Sequence, residues 1–211
     1  MTPKQQHHEI LAETVIKNLE KRHMEGYYCV TKKEALDKAL SFLQDDATVS
    51  WGGSMSLEEI KLLEALRKGS YKVLDRSTAT NPEEVLEIQR QAFFSDYYFL
   101  SCNAITMDGM LYNVDGIGNR VAAMLYGPKE VIVIVGINKV CLDEQEALKR
   151  IRNVAAPLNT HRLNKNTPCT KTGKCGECLV PDSICSHTVI TRNSKPTGRI
   201  KVILVGEPLG Y

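Results

Sequence analysis

A chain of 211 residues is long enough for one α/β domain with a sizeable core and marginal for two. Its 43% apolar and 25% charged residues are ordinary for a globular protein. A net charge of +2 argues against an electrostatic nucleic-acid binder, but leaves room for a small anionic ligand held by local charge.

The N-terminal stretch lacks the unbroken apolar run of a signal peptide. Apolar periodicity instead predicts a helix over residues 8–24, with Ile10, Leu11, Val15, Ile16 and Leu19 on one stripe. Residues 27–30 read as a short strand. Thr31 then caps a helix running to about Leu43, with Glu34 at the capping-box position. Residues 47–51 form a strand that stops at Gly52–Gly53, residues 56–68 a helix ended by Gly69, and residues 71–74 another strand. Asn81-Pro82-Glu83-Glu84 starts a helix that continues to about Phe94. Residues 97–106 and 110–114 read as strands joined by the Asp108–Gly109 turn. A helix follows from Asn119.

Residues 131–137 form the most apolar run. It is far short of the ~20 residues that cross a bilayer and reads as a buried parallel strand. A helix over 143–156 follows, then a polar segment at 159–187 rich in Cys, Lys, Thr and Gly, and strands at 188–191 and 200–205. Such alternation implies βαβ units. The expected fold is α/β, a Rossmann-like, mostly parallel sheet with helices on both faces, formed by residues 1–211 as a single domain. The segment 159–187 is a Cys-rich insertion between strands expected to join one sheet. No span and no leader imply a cytoplasmic protein, where thiols stay reduced and seven cysteines suggest metal or redox chemistry.

Four of those cysteines, Cys169, Cys175, Cys178 and Cys185, follow one another at spacings x5, x2 and x6. The pair separated by two residues can turn both sulfurs toward one centre. Gly173 and Gly176 permit the turn and leave amides free to hydrogen-bond sulfur. Four crowded thiolates repel unless a cation holds them, so the pattern predicts a metal centre. Structural zinc commonly uses two paired knuckles with sulfurs about 4 Å apart. One pair and two single cysteines suit the wider reach of an iron–sulfur cubane, which places a [4Fe-4S] cluster ahead of zinc. His187 is a stand-in ligand at most, and Lys165, Lys171, Lys174 and Arg192 are candidates to offset cluster charge. Cys29, Cys102 and Cys141 lie among apolar residues and read as buried side chains.

Two glycine loops are candidate anion sites. In Val49-Ser-Trp-Gly-Gly-Ser-Met-Ser, strand passes to helix through Gly52 and Gly53; backbone amides, the Ser54 and Ser56 hydroxyls and the helix N-terminus favour negative charge. No GxxxxGK[ST] occurs, so this is not a Walker loop. In Asp115-Gly-Ile-Gly-Asn-Arg, Gly116, Gly118 and Asn119 can face an anion while Arg120 supplies charge. The third glycine of a dinucleotide fingerprint is replaced by Val121, so the pattern does not specify NAD. Asp108 and Asp115 are candidate acids, bases or nucleophiles.

The segments VSWGGSMSLEE, DYYFLSCNAITMDGMLYNVDGIGNRVAAM, EVIVIVGINKVC, RIRNVAAPLN and the TPC…GKCGEC…IC stretch, in this order, resemble the lactate-utilisation (LUD) domain family. The resemblance runs from about Tyr27 onward. It implies a superfamily shared with ribose-5-phosphate isomerase, glucosamine-6-phosphate deaminase and coenzyme A transferases, and assigns Gly52, Gly53, Ser54 and Ser56 to its substrate loop. Many members carry a Thr-Gly-Thr type segment where this chain reads Thr106-Met-Asp-Gly, and the transferases' catalytic glutamate has no clear counterpart. Two functions follow as expectations. One is a redox or electron-transfer role in organic-acid metabolism, with a small anionic substrate and redox partner subunits. The other is a non-redox enzyme acting on a phosphorylated sugar or coenzyme A ester, with zinc or a cluster only bracing the loop. A non-catalytic binding subunit is a third, and any of them allows a homo-oligomer.

Overall fold

The computed structural model describes residues 2–211. Helix α1 (Pro3–Lys21) begins five residues before the predicted start, because Thr2 and Gln5 form a reciprocal capping box and Pro3 occupies the first turn. It leads into β1 (Glu25–Cys29), α2 (Lys32–Leu40) and β2 (Thr48–Trp51). Thr31 caps α2 as expected, its hydroxyl accepting from the Glu34 amide. The predicted helix over 56–68 is two helices, α3 (Met55–Glu59) and α4 (Leu62–Lys68), broken where Lys61 adopts φ +60°. Next come β3 (Lys72–Leu74), α5 (Pro82–Gln91) and β4 (Tyr97–Leu100).

Here the structure departs from the sequence reading. Residues 97–106 are not one strand. After Leu100 the chain leaves the main sheet and re-enters a second one as β5 (Ala104–Thr106), which pairs with β6 (Leu111–Asp115) across the Asp108–Gly109 turn. The chain continues through α6 (Asn119–Leu125), β7 (Glu130–Gly136), β8 (Val140–Cys141), α7 (Glu144–Arg150), a π-helical turn at Ile151–Ala155, α8 (Ala156–Arg162), α9 (Pro168–Thr172), β9 (His187–Thr191) and β10 (Ile200–Val205). The expected helix over 143–156 thus runs on through Pro157, whose missing N–H is harmless in the first turn of α8.

Six strands form a wholly parallel sheet in the order β1-β10-β7-β4-β2-β3. Alternate strand residues feed two cores on its two faces. Val131, Val133, Val135, Val202 and Leu204 pack with Ala12, Val15 and Leu19 of α1 and Ala123 and Met124 of α6. Ile132, Ile134, Ile203 and Val205 pack with Ala35 and Ala39 of α2 and Leu62, Leu63 and Leu66 of α4. The second sheet, β8-β5-β6-β9, buries Tyr112 and Cys141 against Ala147 and Ile151. The strands on either side of the Cys-rich segment, β8 before it and β9 after it, both belong to the small sheet, and β10 then joins the large one. Among the described residues no helix is long and apolar enough to cross a membrane.

Candidate functional site

In an open parallel sheet, connections leaving neighbouring strands in opposite directions part at the strands' carboxyl ends and leave a crevice there. From β2 the chain crosses to β3 on one side and then to β4 on the other. The loops that follow β2, β3, β4 and β7 surround a cavity of about 380 Å³ in that position. Gly53, Ser54 and Ser56 come from the first, Arg76 from the second, Ser101, Cys102 and Asn103 from the third, and Lys139 from the fourth. Asp115, Gly116, Asn119 and Arg120 close another wall, joined by Asn159 and Arg162 of α8 and by Ile184 of the cysteine segment.

The glycines act differently from the sequence expectation. A Cβ on Gly52 would lie 2.8 Å from Arg120 Cδ and Cγ, and one on Gly53 would lie 2.5 Å from Arg76 Nη2. Both glycines make room for arginines, so the loop is where cations lie against backbone. The helices behind the two loops, α3 and α6, are only 5 and 7 residues long. The cavity's charge therefore comes from side chains more than from helix dipoles. Ser54 precedes α3 without a side-chain capping bond, so its hydroxyl remains available to the cavity.

Arg120 is a brace. Its Nη1 donates to Ser101 O (2.8 Å) and Asn113 Oδ1 (2.6 Å), its Nη2 to Val114 O (2.8 Å) and Asn103 Oδ1 (3.2 Å), and its Nε lies 3.2 Å from Asp115 Oδ2. It contributes positive potential, but its N–H groups are occupied. Arg76, by contrast, has no ion-pair or side-chain hydrogen-bond partner among the described residues. It is held over the loop by the turn Arg76–Thr78, which Asp75 caps by accepting from Ser77 N (2.8 Å) while its other oxygen takes Arg67 (2.8 Å).

Asp115 is 8% exposed, and its Oδ2 has no hydrogen-bond donor aimed at it. It is the one predicted carboxylate that reaches the cavity. Asp108 sits in the β5–β6 turn, ion-paired to Arg22 at 2.7 Å and hydrogen-bonded by Thr106. It lines a separate surface depression with Asn18 and Arg192. Gly118 adopts φ +87° and packs on the His187 ring, outside the cavity lining.

Sequence reasoning missed Lys139. It is 3% exposed, and its Nζ lies 2.9 Å from Ser56 Oγ and 3.0 Å from Ser101 Oγ, with no carboxylate in salt-bridge range. Burial pulls its pKa down to about 8; Cys102 and, less, Glu59 act the other way, while Arg150 and Arg120 add to the fall. The neighbouring Cys102 thiol is itself pushed up by burial. A lysine directly after a run of apolar strand residues was the available signal.

The cysteine segment packs on this cavity. Ile184 lines it, and its Cα would sit 3.6 Å from a Cβ on Gly116. All seven cysteines are free thiols. Cys169, at the start of α9, is buried; its sulfur lies 3.1 Å from Thr167 Oγ1 and 3.4 Å from Thr160 Oγ1. Cys175 accepts from the Glu177 amide at 3.4 Å, and Gly173 and Glu177 both take positive φ to make the turn. Desolvation of its sulfur, and then the nearby Cys175, Cys169 and Cys178, push the Cys185 thiol up to about 11. Among the described residues no three His, Cys, Asp or Glu side chains converge as they would on a single ion. Lys165 is paired with Asp182 at 3.6 Å and Arg152 with Glu177 at 2.7 Å, so these two basic residues tie down the loop itself.

The four cysteines are free of disulfides, and hydroxyls and an amide lie within hydrogen-bond reach of two of their sulfurs, Cys169 and Cys175, a donor chemistry that an iron–sulfur cluster or zinc could use.

A solved DUF162 family protein from Deinococcus radiodurans has the same fold, with a TM-score of 0.54 at 12% identity, over 94% of this chain and 98% of that one. The delta subunit of eIF2B from Chaetomium thermophilum overlaps less, with a TM-score of 0.36 at 19% identity over 66% of this chain and 54% of its own. No curated protein matches this chain. The model of the LUD domain matches residues 12–205, nearly the whole of the two-sheet architecture, and the chain belongs to the LUD domain family.

Proposed function

We propose that this LUD domain binds a small organic anion in the cavity between β2 and β4 and carries, at the cavity's edge, a four-cysteine iron–sulfur cluster serving an electron-transfer role in organic-acid metabolism. The observation that carries the reading is the contact of the cysteine segment with the anion cavity through Ile184 and Gly116. When bound, a [4Fe-4S] cluster supplies reversible one-electron transfer. Cys169, Cys175, Cys178 and Cys185 hold it. Arg76 offers its guanidinium to the ligand's carboxylate, and the Ser54 hydroxyl adds a hydrogen bond. Partner subunits would dock at the exposed cysteine edge, where Cys185 and Leu179 face outward.

A second reading draws on Arg76 as well. A free guanidinium serves a phosphate as readily as a carboxylate, which suits a non-redox enzyme on a phosphorylated sugar or coenzyme A ester with a zinc or cluster that only braces the loop. Anaerobic purification with iron, sulfide and zinc analysis separates the two. The redox reading expects brown protein with about four irons per chain that bleaches on reduction. The double variant C175S/C178S is expected to lose the metal and loosen residues 159–187 while the sheet melts cooperatively as before. Colourless, zinc-loaded protein stabilised by sugar phosphates but not by small carboxylates would sink the redox reading and leave the second.

A further inference from the structure

Neither the cluster nor anion capture accounts for Lys139. A buried ammonium is normally met by a carboxylate, because taking the charge out of water is expensive. Here the two groups in contact are neutral hydroxyls, and of the charged groups that bear on it Arg150 and Arg120, of the same sign, each outweigh the opposite charge of Glu59. The hydroxyl protons of Ser56 and Ser101 are directed to Leu209 O and Cys102 O, so both serines accept from Lys139 and leave its nitrogen's remaining position to the cavity it lines. Such an environment favours an uncharged amine beside a site able to hold an anion. This combination makes a lysine nucleophilic.

We propose that Lys139 is a catalytic amine that forms an imine with the carbonyl carbon of a small 2-oxo acid whose carboxylate is held in the same cavity by Arg76. The lone pair on Nζ attacks the carbonyl carbon. The resulting carbinolamine loses its oxygen as water, both hydrogens of that water coming in net from the amine nitrogen. A C–N double bond replaces the C–O double bond, and no oxidant or reductant takes part. Ser56 and Ser101, within hydrogen-bond distance of Nζ, pass protons between nitrogen and departing oxygen. The inference rests on the reading that the cavity takes a small organic anion, and it is independent of the cluster.

The test is reductive trapping. The 211-residue chain is incubated with pyruvate and sodium borohydride, which delivers hydride to an imine carbon and fixes it as a secondary amine, and the adduct is mapped by peptide mass spectrometry. One adduct is expected, on the peptide containing Lys139, absent from K139R and K139M. At about pH 7.5 an amine titrating near 8 is uncharged on the order of a hundredfold more often than an ordinary lysine, so labelling at Lys139 is expected to exceed that at surface lysines by at least about tenfold. Its rate should level off above about pH 8, whereas surface labelling keeps rising. The groups facing Lys139 that set this profile are Cys102, Arg150, Arg120 and Glu59.

Thermal shift with pyruvate and with lactate, which has no carbonyl to trap, is read alongside. Stabilisation by both acids without a Lys139 adduct overturns the imine and leaves the anion cavity standing. Absence of both stabilisation and adduct overturns both. An adduct that persists elsewhere in K139R and K139M shows surface chemistry and likewise overturns the proposal.

Discussion

Two adjacent glycines illustrate how differently neighbours in a sequence are constrained. Arg120, which a Cβ on Gly52 would strike, is fixed by hydrogen bonds to four acceptors and cannot retreat. Arg76, which a Cβ on Gly53 would strike, touches only with the far end of a flexible chain. G52A is therefore expected to lower stability by about 1–3 kcal/mol in chemical denaturation. G53A is expected to fold nearly normally but to bind anions more weakly in a titration, because Arg76 must swing away. Equal losses of stability in the two variants would contradict this assignment. Lys139 yields a pH prediction. Its folded pKa of about 8 lies below the ordinary 10.5, so between those values the unfolded chain holds the proton more tightly and stability rises with pH. The penalty is present in full below about pH 8. K139M is expected to gain roughly 1–3 kcal/mol at neutral pH, with the gain fading toward pH 10.5, as thermal melts at several pH values would show. Of the site residues, those on glycine turns were legible because their chemistry is local. Arg76 left no trace in the sequence, since its role depends on an arginine reaching over a loop from another strand. Arg120 was legible as a cation but not as a brace, because its acceptors lie on β6 and in the turn after β4.

At the level of elements, apolar periodicity located most of the large-sheet strands to within a residue or two, because strands buried on both faces read as unbroken apolar runs. Residues 200–205 were placed with the ends that the structure shows. Periodicity failed where the chain changes partners without changing character. Residues 97–106 are apolar throughout, and only the backbone turn at Ser101–Asn103 separates β4 from β5. It also failed at Lys61, which looks like an ordinary helix residue yet takes the left-handed conformation that splits α3 from α4. A lysine in that conformation is strained by roughly 1 kcal/mol relative to glycine. K61G is expected to raise the melting temperature by a few degrees, whereas a fall would mean that the segment prefers one continuous helix in solution.

Across the whole molecule, the two cores on opposite faces of the sheet meet only through the strands. Ile132 and Val133 are neighbours in β7, both fully buried, and point to different cores. I132A is expected to cost about 2–4 kcal/mol and V133A somewhat less, and measured unfolding energies of the pair should add to within about 0.5 kcal/mol if the faces are independent. A larger coupling would show that the sheet transmits packing strain between layers. The broad fold class could be read from the βαβ rhythm, but the small mixed sheet could not, since its pairings join β5, β6, β8 and β9 over long separations without a distinctive pattern.

The position of β10 governs the timing of assembly. It lies between β1 and β7, and β1 has no other strand beside it, so Glu25 must wait for Lys201 before its edge of the sheet exists. On the ribosome, the cysteine segment emerges before that closing strand. That loop is therefore synthesised while the large sheet is still open, and insertion of β10 closes the sheet last.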